Sequence, residues 1–340
     1  IYQSQARIVR VDTGKPIGID KTKNNILITS ALPYVNNEPH LGNIIGCVLS
    51  ADVFARYSRL IGNNTLYICG TDEFGTATET KALQEGISPQ ELCDKFNKLH
   101  REIYEWFDID FDNFGRTPTE IHKEITLDIF NKLKKNGFIQ KRKVDQFKCM
   151  KCNIFLADRY LTGICHHEGC GFVDAGGDQC DKCGKLIVAT ELKEPKCKIC
   201  SSTPELLFSW HYFIDLPQIE PKLQDWLSSA YPNWSKNSVN ITKGFLNDGL
   251  KSRCITRDLK WGVKVPCDDD EDLKDKVFYV WFDAPIGYLS ITGNLVENWE
   301  DWWKNPENVT LYQFMGKDNV TFHTVIFPSS LIGTGDNYTK

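Results

Sequence analysis

No apolar run in this 340-residue chain approaches the roughly 20 residues needed to span a bilayer. Residues 1–24 are polar, follow no period and contain no apolar core of a secretory leader, so they read as an extension without chemistry of its own. These two absences point to an intracellular protein. The Asn-X-Ser/Thr triplets at Asn63, Asn233, Asn240, Asn308, Asn319 and Asn337 then read as chance rather than as glycosylation sites. Excess positive charge is missing as well. A net charge of −5 leaves any RNA contact to local patches, because the surface as a whole is not built for nucleic acid. No Gly-X-Gly-X-X-Gly occurs, so the dinucleotide fingerprint is absent. What remains is ordinary globular composition, 41% hydrophobic and 25% charged, at a length that implies two or three structural units.

Cysteine, by contrast, is plentiful. Of thirteen, eight stand as close pairs: Cys149-X2-Cys152, Cys165-X4-Cys170, Cys180-X2-Cys183 and Cys197-X2-Cys200. Two cysteines on one tight turn place two thiolates on the same side, and two such turns complete a tetrahedral site, so the eight suffice for two Zn2+ ions. Disulfides or a redox pair suit an intracellular chain less well. The longer gap, Cys165-His166-His167-Glu168-Gly169-Cys170, allows His166 or His167 to replace a cysteine. Four protein ligands leave no open position for water, so these metals are structural. The spacings fit nested and sequential pairings equally.

The chain is organised around Ser30–Ala51. Ile26-Leu27-Ile28-Thr29 reads as a buried strand, and after a loop rich in proline and asparagine, apolar residues recur at Ile44, Ile45, Val48, Leu49 and Ala55 with helical spacing. In such a strand–loop–helix unit the helix start offers unpaired N–H groups to a phosphate. His40 and Asn43 add side-chain donors, and Gly42 permits close backbone approach. The alternative is a plain strand-to-helix turn with an incidental histidine.

His40-Leu41-Gly42-Asn43 resembles the His-Ile-Gly-His signature of class I aminoacyl-tRNA synthetases, and Ala31-Leu32-Pro33-Tyr34-Val35-Asn36-Asn37 before it resembles the methionyl-tRNA synthetase form. The likeness continues at Cys69-Gly70-Thr71-Asp72-Glu73-Phe74-Gly75-Thr76, at Phe278 to Tyr288 and at Phe314 to His323. It covers the chain from about Asn25 onward and is nearest the eukaryotic cytosolic wording. It implies a Rossmann-like, doubly wound parallel α/β fold, interrupted by a zinc-bearing connective peptide that helps to position the acceptor end of tRNA. The implied divisions are an extension (1–24), a first catalytic half (25–138), the insertion (139–248) and a second half (249–340). The family's fold favours nested metals, with Cys165, Cys170, Cys180 and Cys183 inside Cys149, Cys152, Cys197 and Cys200.

Along the chain, Thr65–Cys69 is a second buried strand and Gly70–Gly75 a loop at its carboxyl end, where open sheets place ligands. Asp72 in that loop is either a helix N-cap or, by resemblance, the partner of a methionine ammonium. Helices are expected from Ser88-Pro89 to Trp106, from about Thr119 to Asn136, and from Leu216 to about Ser229. The basic cluster Lys132, Lys134, Lys135, Lys141, Arg142 and Lys143 reads as a solvated helix end in preference to a tRNA contact, and the acidic run 268–272 as a solvated loop. Val277–Phe282 reads as a central strand, and Leu311–Met315 as another.

The resemblance assigns methionine to Leu32, Tyr34, Asp72, Trp281, Ala284, Pro285, Tyr288 and His323, with Tyr288 offering its hydroxyl to the thioether. It assigns ATP, with Mg2+, to His40, Gly42, Asn43, Arg257, Gly316 and Asp318. The expected activity is attack of the methionine carboxylate on the ATP α-phosphorus, then transfer of the aminoacyl group to tRNA(Met), with His40 and Asn43 stabilising charge. The expected setting is the cytoplasm, with membership of a multi-synthetase assembly open. A Lys-Met-Ser-Lys-Ser-type loop does not occur before Lys340, and the anticodon-binding domain is not present either, so a truncated chain with impaired catalysis is expected. Two other readings stand beside this one: a class I synthetase for another amino acid, and a non-catalytic zinc and RNA-binding module.

Overall fold

The computed structural model describes residues 18–156, 160–177, 180–185, 187–247, 249–267 and 270–340. Residues 1–17 of the expected extension, and Asp268 and Asp269 of the acidic run, lie outside the described residues. The central sheet has four parallel strands in the order Val309–Phe314, Asn25–Ser30, Asn64–Thr71, Asn113–Arg116. All six residues of Asn25–Ser30 are buried, as a β-branched run covered on both faces requires. Its register, Ile28 opposite both Tyr312 and Tyr67, joins the first and last parts of the chain in one sheet. Its two neighbours, Asn64–Thr71 and Val309–Phe314, both come later in the chain and lie on opposite sides of it, so the crevice beyond Ser30 is a topological switch point.

Backbone contacts hold the strand ends tightly. A Cβ on Gly70 would lie 2.6 Å from the Gly115 carbonyl oxygen and from Ile291 Cδ1, so only glycine lets the helix Gly287–Gly293 settle against these strands. After the first strand, the chain enters Leu41–Asn43, winds as a π-helix over Ile44–Leu49 and continues as an α-helix over Ser50–Leu60. Pro89–Trp106 starts with a capping box, Ser88 Oγ accepting from Glu91 N at 3.2 Å and Glu91 Oε2 accepting from Ser88 N at 2.8 Å. Glu120–Lys135 is capped by Thr119.

One expected central strand is not there. Only Val277–Phe278 is extended, and it pairs antiparallel with Thr256–Arg257 outside the main sheet. Val280–Asp283 is helical instead, followed by a 3-10 turn over Ala284–Ile286. A short apolar aromatic run does not distinguish a buried strand from a buried helix, and Pro285 sits where a helical first turn tolerates it. The acidic run also departs from a merely solvated loop: Asp270 and Asp272 hold Lys141 at 2.7 and 2.8 Å.

The cysteine region hangs on an antiparallel ribbon, Ile139–Cys149 against Glu205–Ile214, in register from Ile139 opposite Ile214 to Lys148 opposite Glu205. Beyond it, Leu161–Ile164 pairs with Ala175–Gly176 and Lys193–Cys197. This unit has its own small core, including Phe147, Leu156, Tyr160 and Leu161, which Leu259 and Val277 join from the returning chain. Tyr160 also donates to Glu79 Oε2 at 3.1 Å, and Glu79 Oε1 accepts from the backbone N–H of Lys260 and Trp261. The insertion is thereby tied to the helix that follows the Asp72 loop.

Candidate functional site

A cavity of about 270 Å³ opens at the carboxyl end of Asn25–Ser30. All eight residues assigned to methionine line it: Leu32, Tyr34, Asp72, Trp281, Ala284, Pro285, Tyr288 and His323. His40 and Asn43 line it too. Gly42, Arg257, Gly316 and Asp318 are not among its walls. Arg257 instead lies with its guanidinium 3.6 Å from the centre of the Tyr279 ring.

Asp72 is 3% exposed. Its N–H donates to the Pro33 carbonyl at 2.9 Å, while its Oδ1 is buried without a hydrogen-bond partner. Burial, reinforced by the neighbouring Asp283 charge, pushes its pKa well above the usual carboxylate range. The next helix, Thr76–Glu85, has Gly75 at its N-cap, so capping is not the task of Asp72. A buried carboxylate with one oxygen unpartnered at a cavity is complementary to a cation.

The His40 ring closes back on its own helix. Its Nδ1 accepts from Gly42 N at 3.0 Å and from Asn43 N at 3.4 Å, while Asn43 Oδ1 accepts from His40 N at 3.2 Å. Two of the helix N–H groups expected to be free for phosphate are therefore occupied. The same geometry fixes the tautomer of a neutral ring, since an accepting Nδ1 leaves the proton on Nε2. His40 Nε2–H and the Asn43 amide hydrogens remain as the donors. Gly42 permits this cap, because a Cβ there would sit 2.8 Å from His40 Cε1.

On the opposite wall Trp281 meets Phe322 edge-on, ring centres 5.0 Å apart. His323 Nδ1 faces the Asn319 carbonyl at 2.8 Å and must donate to it. Nε2 then accepts the Tyr288 hydroxyl proton at 2.7 Å. The Tyr288 hydroxyl proton is thus directed at His323 rather than free for a thioether. Burial pushes the His323 pKa down to about 4, which keeps the ring neutral at physiological pH. Sequence reasoning missed Asn36, Asn37, His100, Val280, Asn319 and Phe322 among the walls. Asn319 and Phe322 stand inside the Phe314–His323 motif and were within reach, whereas His100 arrives from a helix with no local signal and meets the Asn37 carbonyl at 3.0 Å.

The eight paired cysteines form two groups, Cys149, Cys152, Cys197 and Cys200 in one, Cys165, Cys170, Cys180 and Cys183 in the other, with all ligand atoms of each within 4.8 Å of one another. The grouping is nested, not sequential. Sγ···Sγ separations of 3.4 and 4.0 Å in the first and 3.9 and 3.7 Å in the second bracket the edge of about 3.8 Å expected for a ZnS4 tetrahedron with 2.3 Å bonds. These separations are far beyond a disulfide bond of about 2.05 Å, and all eight thiols are free. His166 turns away to Glu191 at 3.2 Å. His167 Nδ1 lies 3.2 Å from Cys165 Sγ, beside a complete set of four thiols. In the basic cluster, Lys132 is held by Asp128 and Asp336 at 2.7 and 2.8 Å, and Lys141 by the two aspartates already described.

These features define a Rossmann-like α/β domain, split by an insertion that carries two four-cysteine groups. The chain belongs to the family described as tRNA synthetases class I (M), whose family model matches residues 26–340. It is 61% identical over 319 residues to the cytoplasmic methionine–tRNA ligase of Homo sapiens, covering 93% of this chain and 35% of that protein. To the probable cytoplasmic methionine–tRNA ligase of Dictyostelium discoideum it is 61% identical over 320 residues, covering 93% of this chain and 43% of that one. The chain thus spans less than half of either relative. Among solved structures, Mycobacterium tuberculosis methionyl-tRNA synthetase in complex with methionyl-adenylate superposes with a TM-score of 0.66 at 22% identity, covering 92% of this chain and 55% of that one. Among the described residues, no helix is long and apolar enough to cross a membrane.

Proposed function

We propose that this chain is the catalytic region of a methionine–tRNA ligase, binding L-methionine and ATP, forming methionyl-adenylate and passing the aminoacyl group to the 3′ adenosine of tRNA(Met). The observation that carries this is the buried, unpartnered Asp72 Oδ1 at one side of a cavity whose other walls are the Trp281 ring and the Tyr288–His323 pair. Asp72 takes the α-ammonium, and the aromatic walls take the thioether. ATP enters as its Mg2+ complex. His40 Nε2–H and the Asn43 amide face its phosphates, where donors fixed in advance stabilise the charge that develops as the carboxylate attacks. Arg257, Gly316 and Asp318 are assigned to ATP on the sequence motif alone, and Gly42 to the positioning of His40.

Zn2+ at the two thiol groups supplies structural cross-links and no reacting group, since four sulfurs complete each tetrahedron. We assign residues 25–138 and 249–340 to the two catalytic halves and 139–248 to the insertion. The ribbon beginning at Ile139 supports the first of those limits. The cytoplasmic setting is taken from the names of the relatives.

Calorimetric titration with L-methionine, beside leucine and norleucine, tests the assignment. Saturable binding that prefers methionine and disappears in Asp72→Ala is expected. Equal binding of all three ligands, or retention in Asp72→Ala, refutes it.

A further inference from the structure

A second carboxylate whose charge acts on Asp72 has no task in the proposed chemistry. Asp283 ends the short helix Val280–Asp283 and is fully buried. Neither of its oxygens has a hydrogen-bond partner of ordinary geometry. The nearest group able to carry a positive charge is His122 Nε2, 3.7 Å from Oδ2 and equally buried. His122 comes from a different element, the helix Glu120–Lys135.

The far side of the imidazole decides where its hydrogens are. Ser290 Oγ donates to the Gly287 carbonyl at 3.0 Å, so at 3.0 Å from His122 Nδ1 it accepts, and Nδ1 carries a hydrogen. A neutral ring in that tautomer would turn the Nε2 lone pair toward a carboxylate. That contact is repulsive, and one further proton shared between Nε2 and Oδ2 converts it into an attractive charge pair at 3.7 Å.

The charges around the site give that proton a purpose. The titratable groups acting on Asp72 and Asp283 are Glu73, Tyr34, Tyr288 and His122. Glu73 is bound to Arg116 at 2.7 Å; of the imidazoles, His40, His100 and His323 line the cavity but are engaged with their own partners, and His122 is the one that lies against Asp283. Two carboxylates in one dry space resist simultaneous ionisation. A single α-ammonium neutralises one of them and leaves the other.

We propose that His122 and Asp283 hold one proton between them as a positioning pair for Asp72, leaving Asp72 as the one net negative charge at the floor of the pocket against which an α-ammonium is recognised. The inference rests on the assignment of this pocket to methionine. It selects amino acids with a free, charged α-amino group and disfavours N-acylated ones, which bring no charge to match Asp72.

The test is methionine affinity by calorimetry between about pH 6 and about pH 8, for the wild type, His122→Gln, Asp283→Asn and the double variant. The wild type and Asp283→Asn are expected to hold their affinity across this range. His122→Gln keeps an amide but cannot carry the proton, so a proton moves onto the two carboxylates and affinity falls toward the acid end by about tenfold, one pKa unit's worth. The double variant, with no second carboxylate to neutralise, regains a flat profile. A flat profile for His122→Gln, or a double variant that stays pH-dependent, overturns the proposal. An independent readout is the imidazole proton spectrum, in which an exchange-protected Nε2 proton of His122 is present in the wild type and lost in Asp283→Asn. Should the wild type bind no methionine at any pH, the pocket assignment fails, and that resonance alone decides whether the pair exists: its presence upholds the shared proton and its absence overturns it.

Discussion

Asp72→Asn separates stability from binding, because the wild-type carboxylate is a liability in the empty protein and an asset in the complex. In the unliganded state a buried polar group without a partner costs about 1–3 kcal/mol, and Asp72 Oδ1 is such a group. The amide removes the charge at nearly constant volume, so the variant is expected to melt a few degrees higher. The pH dependence has a definite sign. The folded-state pKa of Asp72 is raised, so the penalty is absent below the unfolded carboxylate value of about 4 and grows as pH rises toward the folded value. The gap in Tm between variant and wild type therefore opens with increasing pH. Methionine at about 100 times its Kd stabilises the wild type by about 2.7 kcal/mol. Removing one partner of a buried ion pair costs about 3–5 kcal/mol, a weakening of roughly two to three and a half powers of ten, so the same methionine concentration leaves the variant's Tm almost unmoved. Scanning calorimetry of both proteins at several pH values, with and without methionine, reads all of this. A variant that methionine stabilises as strongly as wild type, or one no more stable than wild type at the alkaline end, refutes the reasoning.

Tyr288→Phe leaves His323 Nε2 buried without its 2.7 Å donor, and should lower stability by about 1–3 kcal/mol with the preference for methionine over norleucine unchanged; scanning calorimetry and competition binding measure the two effects. Gly42→Ala places a Cβ 2.8 Å from His40 Cε1 and should displace the ring from its cap, slowing methionine-dependent pyrophosphate exchange by roughly tenfold or more with little change in methionine affinity. Equal loss in both would mean that the helix start, not the ring, had been damaged. Chelation of zinc should unfold the cysteine region, seen as lost protection in hydrogen exchange from Phe147 to Cys200. Through Tyr160 and Glu79 it should also raise exchange in the Asp72 loop, an effect that Tyr160→Phe alone reproduces in part.

Most of the catalytic frame was legible because its signals are local. Buried β-branched runs, capping residues and the cysteine pairs announce strands, helix starts and thiol groups without long-range information. The failure at Val277–Phe282 has the same origin, since an apolar aromatic run carries no period that separates strand from helix. The eight cavity residues were legible as a motif, but their partners were not. Tyr288 and His323 are 35 residues apart, and nothing in either neighbourhood states that the hydroxyl proton belongs to the imidazole.

The motif around His40 makes the same point about chemistry. As a sequence, His-Leu-Gly-Asn suggests a helix start whose backbone amides and flexible glycine receive a phosphate. As a structure, the histidine consumes two of those amides, and the glycine exists to let it do so. The donors that remain are Nε2–H and the Asn43 amide, both aimed by the bonds their opposite ends make. Replacing backbone donors by side-chain donors held from behind moves the point of contact outward from the helix axis. Asp72 is arranged on the same principle, with its N–H tied to Pro33 and one carboxylate oxygen left free. In both cases the residue type is readable from the sequence, while the atom that acts is set by which of its other atoms are already engaged.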